Sequence, residues 1–404
     1  MAYLERDVGF VEEPRAYDNN QRALLARSTF AANPQCPIPD AVERCDIAGG
    51  KDGTVLTAGT FCEPSLASLR AAAAQQLGGR RLECTLEHVV GDIRDRQLRM
   101  IGGGVVQAAS QFNYLEFPST TTTPEDGVAG YIHDRTQGPA CATFAAAGTL
   151  YRNYLVKRTD GGEPGRRGQR REDQLNGLRD VEAYLAQRLG RVPWAVRNGY
   201  IAADPDGLDR LNEELQRDPA LADELAGRIR FGVQLDTEST WEHAGCEYKK
   251  DPETNLWRQV RLPGCPRQIT TTQIYCSAIG IGYDQKVGHE EWEPFARVVL
   301  RAAYEATLLV GAIERVTAEA RGIDLAVRGP ADVHLTLLGH GVFDNPADWV
   351  RDAMLAAVKR VDAAHGATAG GGKGAVPLRA QCVHFQRVAS AMEPGIAFAP
   401  QARM

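Results

Sequence analysis

The chain has 404 residues, of which 43% are hydrophobic and 24% are charged, as is typical of a globular protein with one large or two ordinary domains. Its formal net charge of -6 offers no basic surface to nucleic acid, and no apolar run reaches the roughly 20 residues that span a bilayer. The first residues are charged from Glu5 onward and lack the apolar core of a signal peptide, so we expect a cytoplasmic protein.

The nine cysteines are irregularly spaced and include no C-x-x-C motif. An odd number at irregular spacings argues against a disulfide framework, and the missing paired spacing argues against a structural zinc site. We therefore expect free thiols, as in a reducing cytoplasm.

Residues 1–79 show one clear element, a helix predicted over 65–77 that stops at Gly78-Gly79. The rest of this segment is interrupted by breakers such as Asn33-Pro34 and Gly49-Gly50, which predicts an N-terminal extension wrapped around the following domain. Beyond it, strands are predicted over 80–94 and 104–112. A long apolar helix is then predicted from Pro124 to Tyr154.

Helices and strands alternate through the second half of the chain. Helices are predicted over 174–189, 208–227, 292–319 and 346–364, and strands over 194–203, 231–240, 267–283 and 383–385. The polar segment 242–266 is predicted to form a hairpin. This alternation predicts a three-layer α/β/α fold with a mixed central sheet over residues 80–404, with insertions at about 155–230 and 242–266.

A glycine-rich run, LTLLGHGVFDNPADW, extends from Leu335 to Trp349. An apolar strand pattern leads into Gly339–Phe343, Asn345-Pro346 breaks the chain, and a helical pattern begins near Ala347. A strand, a glycine turn and a helix in this order direct backbone N–H groups at an anion such as a diphosphate. The alternative is an ordinary strand-to-helix turn.

Three further segments can complete a nucleotide site. Asp92 follows an apolar strand and either accepts a hydrogen bond from an exocyclic amine or caps a turn. The segment ASQFNYLE, residues 109–116, carries amides able to hold a ribose diol or to end a polar strand. The polar cluster YIHDRTQGPAC, residues 131–141, lies in an apolar region and forms either a binding site or a buried network.

The order of these segments resembles macrodomains, which bind ADP-ribose. A G-D-I strand end comes first, then a strand ending in asparagine, and much later an apolar strand that runs into G-x-G-x-F. The resemblance implies that Asp92 meets the adenine amine, that the Asn113 loop meets the distal ribose, and that Gly339–Phe343 wraps the diphosphate. The predicted ADP-ribose contacts are Asp92, Ile93, Gln111, Asn113, Thr136, Gln137, Gly339, His340, Gly341, Val342, Phe343 and Asn345.

A closer resemblance is to a divergent macrodomain group that looks like arginine-specific ADP-ribosyl hydrolases, including a bacterial effector acting on ADP-ribosylated ubiquitin. Five segments carry it, at residues 109–116, 134–141, 236–238, 304–308 and 335–345, and it covers roughly residues 80–390. The chain departs from the group at His340 and Asp344, where the group often has glycine. A carboxylate at Asp344 is unfavourable beside a diphosphate unless it points away or meets a cation.

Paired carboxylates suit the implied chemistry. Cleaving an N-glycosidic bond from ribose C1 to a guanidinium needs a carboxylate that activates water or stabilises an oxocarbenium-like transition state. Asp236 and Glu238, two residues apart on a predicted strand, would form such a pair on one face, or else a solvated strand edge. Asp134 and Glu305 complete the predicted catalytic set, although Glu305 on an apolar helix can equally form a structural ion pair.

The predicted function is removal of ADP-ribose from ADP-ribosylated arginine side chains of proteins. The alternatives are a reader that binds ADP-ribose without turnover and a hydrolase of other ADP-ribose derivatives. No cofactor is expected, because the histidines show no metal-ligand spacing. A magnesium ion held by Asp134, Asp236 and Glu238 is the alternative to that expectation.

Overall fold

A nine-stranded mixed β-sheet forms the centre of the protein. The computed structural model describes residues 3–50, 53–97, 104–158, 165–239, 246–250, 257–261, 269–323, 332–364 and 374–385. The strands are β1 Ser28–Ala31, β2 Ala41–Ile47, β3 Leu56–Cys62, β4 Arg81–Gly91, β5 Val105–Ala109, β6 Trp194–Arg197, β7 Tyr200–Ala203, β8 Gly232–Glu238, β9 Cys246–Lys250, β10 Trp257–Arg261, β11 Thr270–Cys276, β12 Val333–Thr336 and β13 Ala375–Phe385. The central sheet has the order β1-β2-β3-β8-β11-β5-β12-β13-β4.

Strand direction divides this sheet into two parts. Each neighbouring pair in the series β11, β5, β12, β13 and β4 is parallel. The pairs formed by β11, β8, β3, β2 and β1 are antiparallel. The carboxyl ends of five strands therefore meet at one edge of the sheet, where open α/β sheets commonly bind ligands.

Helices cover both faces of the sheet. They are α1 Tyr3–Val8, α2 Tyr17–Leu25, α3 Leu66–Leu77, α4 Ile93–Gln97, α5 Gln137–Phe144, α6 Ala146–Leu150, α7 Arg179–Leu189, α8 Pro205–Arg217, α9 Leu221–Arg228, α10 His289–Ala320 and α11 Ala347–Ala364. Apolar residues of α3 and α7 to α11 belong to one buried cluster, and those of α1, α2, α5 and α6 to a second.

The two clusters follow from strand alternation. Val105 packs into the first cluster and Val106 into the second, and likewise Ile274 and Tyr275 face opposite layers. A strand that is buried on both faces needs a largely apolar sequence, which is the pattern seen in β5 and in the last three residues of β11. The predicted α/β/α arrangement with a mixed sheet is confirmed.

The N-terminal segment is part of this sheet, which corrects the prediction of a wrapping extension. Residues 28–62 supply β1, β2 and β3, and β3 pairs with β8. The breakers at Asn33-Pro34 and Gly49-Gly50 lie in the two turns between these strands. The helix predicted over 65–77 is present as α3; the Ser65 side chain caps its start and Gly78, in the left-handed conformation, caps its end.

The long helix predicted from Pro124 to Tyr154 is broken into pieces. Thr123 caps a short 3-10 turn, Pro124–Asp126, which stops at Gly127 because that residue has a φ of 77°. A second 3-10 turn, Ala129–His133, precedes α5 and α6, and a π-helical turn, Tyr151–Leu155, ends the segment.

The elements of the two predicted insertions lie outside the nine-stranded sheet. Strands β6 and β7 form one separate hairpin and β9 and β10 form another. The helices α8 and α9 pack against α10, and α7 packs against α8 and α9. Among the described residues, no helix is both long enough and apolar enough to cross a membrane.

Candidate functional site

A cavity of about 340 Å³ opens at the edge where the parallel strands end. Its walls come from the segments that follow β5, β11 and β12, from the end of β13 and from the start of α5. We call it the main cavity. The lining residues are Ala109, Ser110, Gln111, Glu116, Phe117, Pro118, Asp134, Arg135, Thr136, Gln137, Gly138, Pro139, Tyr200, Ala278, Tyr283, Thr336, Leu337, Leu338, Gly339, His340, Gly341, Val342, Phe343 and His384.

The glycine turn forms one wall of the main cavity. Gly339 has a φ of 75°, and a Cβ there would lie 2.5 Å from the Ala278 Cβ and 2.8 Å from the Asn345 Nδ2. Asn345 fixes the turn from behind, because its Nδ2 donates to the Ile279 carbonyl at 2.8 Å and to those of Gly339 and Phe343 at 3.3 Å. The turn is therefore held in one conformation, as a preorganised anion site requires.

Backbone N–H groups of this turn are available to a ligand. Within the described part of the chain, the N–H groups of Gly339, Gly341, Val342 and Phe343 make no hydrogen bond. Consecutive N–H groups of this kind attract anions. A phosphate-sized anion is therefore the chemical match for this wall.

The start of α5 forms the neighbouring wall. Thr136 to Pro139 line the main cavity at this helix N-terminus, where the helix dipole favours negative charge. The helix can approach β5 closely because Gly138 has no side chain: a Cβ there would lie 1.9 Å from the Ala109 carbonyl oxygen. Gln137 joins the two elements, since its Oε1 accepts from the Ala109 N–H at 2.9 Å and its Nε2 donates to the Gln107 carbonyl at 2.7 Å.

Asp134 places a half-buried carboxylate at the mouth of the main cavity. Its Oδ1 accepts hydrogen bonds from the Thr136 N–H at 2.7 Å and from the Thr136 hydroxyl at 2.6 Å. Its Oδ2 has no partner among the described residues. One oxygen therefore fixes the carboxylate while the other can bind a cation, a hydroxyl or water.

Three aromatic rings from distant parts of the sequence surround this mouth. Tyr200 from β7, Tyr283 from the 3-10 turn Ile281–Tyr283, and Phe343 have centroids 5.3 to 5.7 Å apart. Burial raises the pKa of Tyr200 and of Tyr283, and the nearby Asp134 carboxylate adds to both shifts. Apolar faces beside a carboxylate and N–H groups suit a base or sugar attached to phosphate.

A buried ion pair supports the cavity floor. The Arg152 Nη2 donates to both oxygens of Glu116, at 2.8 and 3.0 Å, and both side chains are fully buried. The Arg152 Nε also donates to the Tyr114 carbonyl at 2.8 Å. Burial raises the pKa of Glu116 to about 7, against the opposing effect of Arg152.

Asp236 and Glu238 lie away from the main cavity, which corrects the expectation that they share one site with the glycine turn. Strand β8 is antiparallel to β11, and Glu238 pairs with Thr270 at the start of β11, whereas the cavity begins beyond Cys276. Six residues of strand correspond to about 20 Å. The Glu238 Oε2 accepts from the Thr57 N–H at 3.0 Å.

A β-bulge interrupts β8 next to Asp236. Asp236 has a φ of 55°, and the register against β11 shifts next to it. Gln234 and Thr237, three residues apart, both approach Gly148 on one face of the sheet. The strict alternation of a regular strand is therefore lost between Gln234 and Thr237.

Glu305 does not line the main cavity, and its carboxylate belongs to an ion-pair network. Its carboxylate accepts from Arg70 at 2.6 and 2.8 Å and lies 3.2 Å from the Arg360 guanidinium. This network connects α3, α10 and α11, and Glu305 lines a separate cleft between helices. The ion-pair alternative raised by the sequence is the one observed.

Three predicted adenine and ribose contacts are engaged elsewhere. Asp92 accepts hydrogen bonds from the Arg94 N–H at 2.8 Å and from its guanidinium, and Ile93 is buried in the second cluster. Asn113 is fully buried; its Oδ1 accepts from the Leu115 N–H at 3.1 Å and its Nδ2 donates to the Gln174 Oε1 at 2.7 Å. None of the three lines the main cavity.

The residues predicted from the glycine turn and from the 131–141 cluster do come together. Gln111, Thr136, Gln137, and His340 through Phe343 all line the main cavity, while Asn345 supports the turn from behind. Asp344 is not among the lining residues; its carboxylate lies 3.2 Å from the His289 imidazole and is largely exposed. It therefore meets a potential cation outside the cavity.

The predicted magnesium ligands are not assembled. Asp134 lies at the cavity, whereas Asp236 and Glu238 lie toward the opposite edge of the sheet. Among the described residues, no three side chains of His, Cys, Asp or Glu are grouped as metal ligands.

Sequence reasoning did not identify Tyr200, Tyr283 or Glu116 as site residues. Tyr200 lies in the insertion, and no local pattern indicates that its hairpin packs against the glycine turn. Glu116 ends the ASQFNYLE segment that carried the resemblance, so its position in that segment was the available signal.

Comparisons with known proteins find similarity among solved structures only. No protein-family model and no curated protein matches the chain. The poly(ADP-ribose) glycohydrolase from Deinococcus radiodurans in complex with ADP-ribose is 10% identical, with 80% of this chain and 87% of that chain covered and a TM-score of 0.36. The Thermomonospora curvata poly(ADP-ribose) glycohydrolase bound to the inhibitor ADP-HPD is 13% identical, with 93% and 94% covered and a TM-score of 0.30.

Proposed function

We propose that this protein is a macrodomain-like hydrolase that binds ADP-ribose in the main cavity and releases it from modified arginine side chains of proteins. The observation that carries the proposal is the junction of unpaired turn N–H groups with the α5 N-terminus at one carboxyl edge of the sheet. Two anion-binding elements side by side suit a diphosphate. The volume of about 340 Å³ lies in the range of small-molecule pockets.

The aromatic residues define the proposed orientation of the ligand in the main cavity. Rings of Tyr200, Tyr283 and Phe343 surround the mouth and offer apolar faces to a base or a ribose. The diphosphate then lies against Gly339–Phe343, and the ribose carrying the scissile bond lies beside Asp134.

Asp134 is the carboxylate proposed to perform the chemistry. The Asp134 Oδ2 deprotonates or orients the water that attacks ribose C1, while the fixed Oδ1 keeps the side chain in place. The bond from C1 to the guanidine nitrogen breaks, and the leaving guanidine takes up a proton. Among the lining residues the only other acid is Glu116, which is buried against Arg152.

Arginine specificity is proposed from the charge at this mouth. A guanidinium group binds carboxylates through two parallel hydrogen bonds, and Asp134 is a partly exposed carboxylate next to the proposed ribose position. A serine or glutamate linkage carries no positive charge and gains nothing from this contact. We also propose that no resident metal is needed, so dialysis against EDTA is expected to leave turnover unchanged.

The decisive experiment compares linkages. The protein is incubated with arginine-, serine- and glutamate-linked ADP-ribosyl peptides and with poly(ADP-ribose), and released ADP-ribose is measured by chromatography. We expect turnover on the arginine-linked peptide to exceed the others by at least about tenfold, a difference of about 1.4 kcal/mol. Faster release of ADP-ribose from another substrate would show that the protein prefers that linkage to arginine. It would leave the main cavity as the proposed ADP-ribose site.

A non-catalytic reader is the second candidate. The unpaired N–H groups of the glycine turn support ADP-ribose binding whether or not the bound molecule is hydrolysed. Calorimetric binding of ADP-ribose together with no release from any of the four substrates would establish the reader and remove the hydrolase.

A further inference from the structure

Two cysteines distant in sequence are in direct contact. Cys36 lies in the turn between β1 and β2, and Cys62 is the last residue of β3. Their Sγ atoms are 3.4 Å apart, and both are free thiols. Among the seven cysteines whose side chains are described, no other two thiols touch.

The two thiols differ in access. Cys36 is half-buried, so a small oxidant can reach it, whereas Cys62 is fully buried among apolar side chains. Hydrogen bonds from Cys62 and from the Ile38 backbone hold the pKa of Cys36 below its ordinary value. The same contact with Cys36, together with burial, raises the pKa of Cys62. Cys36 is thus suited to react with an oxidant, and Cys62 is placed to form a disulfide with the oxidised Cys36.

The surrounding contacts hold the two residues together. The Asn33 Nδ2 donates to the Thr60 Oγ1 at 3.0 Å, and the Gln76 Nε2 donates to the Pro37 carbonyl at 2.8 Å. The turn is therefore attached to β3 on one side and to α3 on the other. Closing the bond would bring the two sulfur atoms from 3.4 Å to about 2.05 Å.

We propose that Cys36 and Cys62 form a redox modification site that closes into a reversible disulfide when the protein meets a hydroperoxide. The Cys36 thiolate attacks one oxygen of hydrogen peroxide, the O–O bond breaks, and a sulfenic acid and hydroxide form. The Cys62 sulfur then attacks the sulfenic sulfur, the S–O bond breaks, and water leaves after the Cys62 proton neutralises the hydroxide. A dithiol such as dithiothreitol returns both sulfurs to thiols by exchange.

The crosslink would fix the β1–β2 turn to the end of β3. It closes a loop between residues that are 26 positions apart, which restricts the unfolded chain and raises the melting temperature. Neither cysteine lines the main cavity, so the proposal does not depend on the function proposed above.

The test treats the intact folded protein with hydrogen peroxide, then denatures it, alkylates the remaining thiols and maps the peptides by mass spectrometry. We expect two fewer alkylated cysteines than the nine in the chain, a peptide pair joining Cys36 to Cys62, and loss of that pair after dithiothreitol. The Cys36→Ser variant should abolish the crosslink. The matched control is Cys84→Ser, which removes another half-buried thiol and should leave the crosslink unchanged.

Two results would overturn the proposal. One is alkylation of Cys62 in the peroxide-treated wild type. The other is an equal loss of thiols in Cys36→Ser and in the wild type. A melting curve for each variant shows that it is folded. Cys36→Ser is the chosen variant because Cys36 is a half-buried turn residue, whereas Cys62 is fully buried.

Discussion

At the scale of residues, the proposed chemistry depends on which carboxylate faces the main cavity. Asp134 meets that condition because Thr136 fixes one of its oxygens and leaves the other available. The sequence indicates that acids are needed, but the choice among Asp134, Asp236 and Glu305 depends on strand direction and on ion-pair partners. Those are long-range facts that residue spacing does not contain.

His334 leads to a prediction about stability and pH. It is fully buried in β12, and neither ring nitrogen has a hydrogen-bond partner among the described residues. Burial, with a smaller effect from Arg96, lowers the pKa of His334 to about 4. As the pH falls, His334 therefore takes up a proton near pH 6.5 in the unfolded chain but only near pH 4 in the folded protein.

The free energy of unfolding should consequently fall as the pH drops from 6.5 toward 4, by at most roughly 3 kcal/mol from this residue. Urea unfolding of the wild type and of His334→Leu across this range measures the effect. The variant should lose less stability than the wild type. Parallel pH profiles for the two proteins would show that His334 makes no such contribution.

At the scale of elements, sequence patterns predicted the segments whose structure depends only on residues that are close in the sequence. The strand, glycine turn and helix around Gly339 could be predicted because the turn and its caps are contiguous in sequence. The hairpin of β6 and β7 could not be placed, since Tyr200 reaches the cavity only through tertiary packing. The broken helix between Pro124 and Tyr154 shows the same limit, because apolarity alone does not reveal where Gly127 ends a turn.

The glycine turn provides a matched pair of variants. Gly339→Ala forces a left-handed φ on alanine and a clash with Ala278, whereas a Cβ at Gly341 meets nothing within 4 Å. We expect Gly339→Ala to lower the free energy of unfolding by about 1–3 kcal/mol or more and to weaken ADP-ribose binding. We expect Gly341→Ala to be as stable as the wild type. Urea unfolding and calorimetry measure both quantities. Equal stability of the two variants would argue against the turn conformation described here.

At the scale of the whole molecule, the described residues of 3–62 are integrated into the sheet and its helical layer. Strand β3 pairs with β8, and side chains from α1 and α2 enter the second buried cluster. The sequence predicted the α/β class correctly, because alternating helices and strands specify layers. It missed β1 to β3 because short strands between proline and glycine breakers look the same as irregular chain.

The boundary predicted at residue 79 can be tested with a fragment. Residues 80–404 should fail to fold alone, since removal of β3 exposes the edge of β8 and of the apolar clusters. Circular dichroism and urea unfolding should show no cooperative transition for the fragment and one for the full chain. A cooperative transition of the fragment at the wild-type midpoint would instead support the prediction that residues 1–79 are a separate wrapping extension.

The most direct measurement of the central claim is kcat on an arginine-linked ADP-ribosyl peptide for Asp134→Asn, alongside calorimetric binding of ADP-ribose. The control Asp209→Asn neutralises an exposed carboxylate on α8, and Asp236→Asn neutralises the acid that the sequence favoured, with asparagine tolerating its left-handed φ. We predict that Asp134→Asn lowers kcat by about 10²- to 10⁴-fold with ADP-ribose still bound, while the other two variants keep wild-type turnover. Full activity in Asp134→Asn together with its loss in Asp236→Asn would contradict the account.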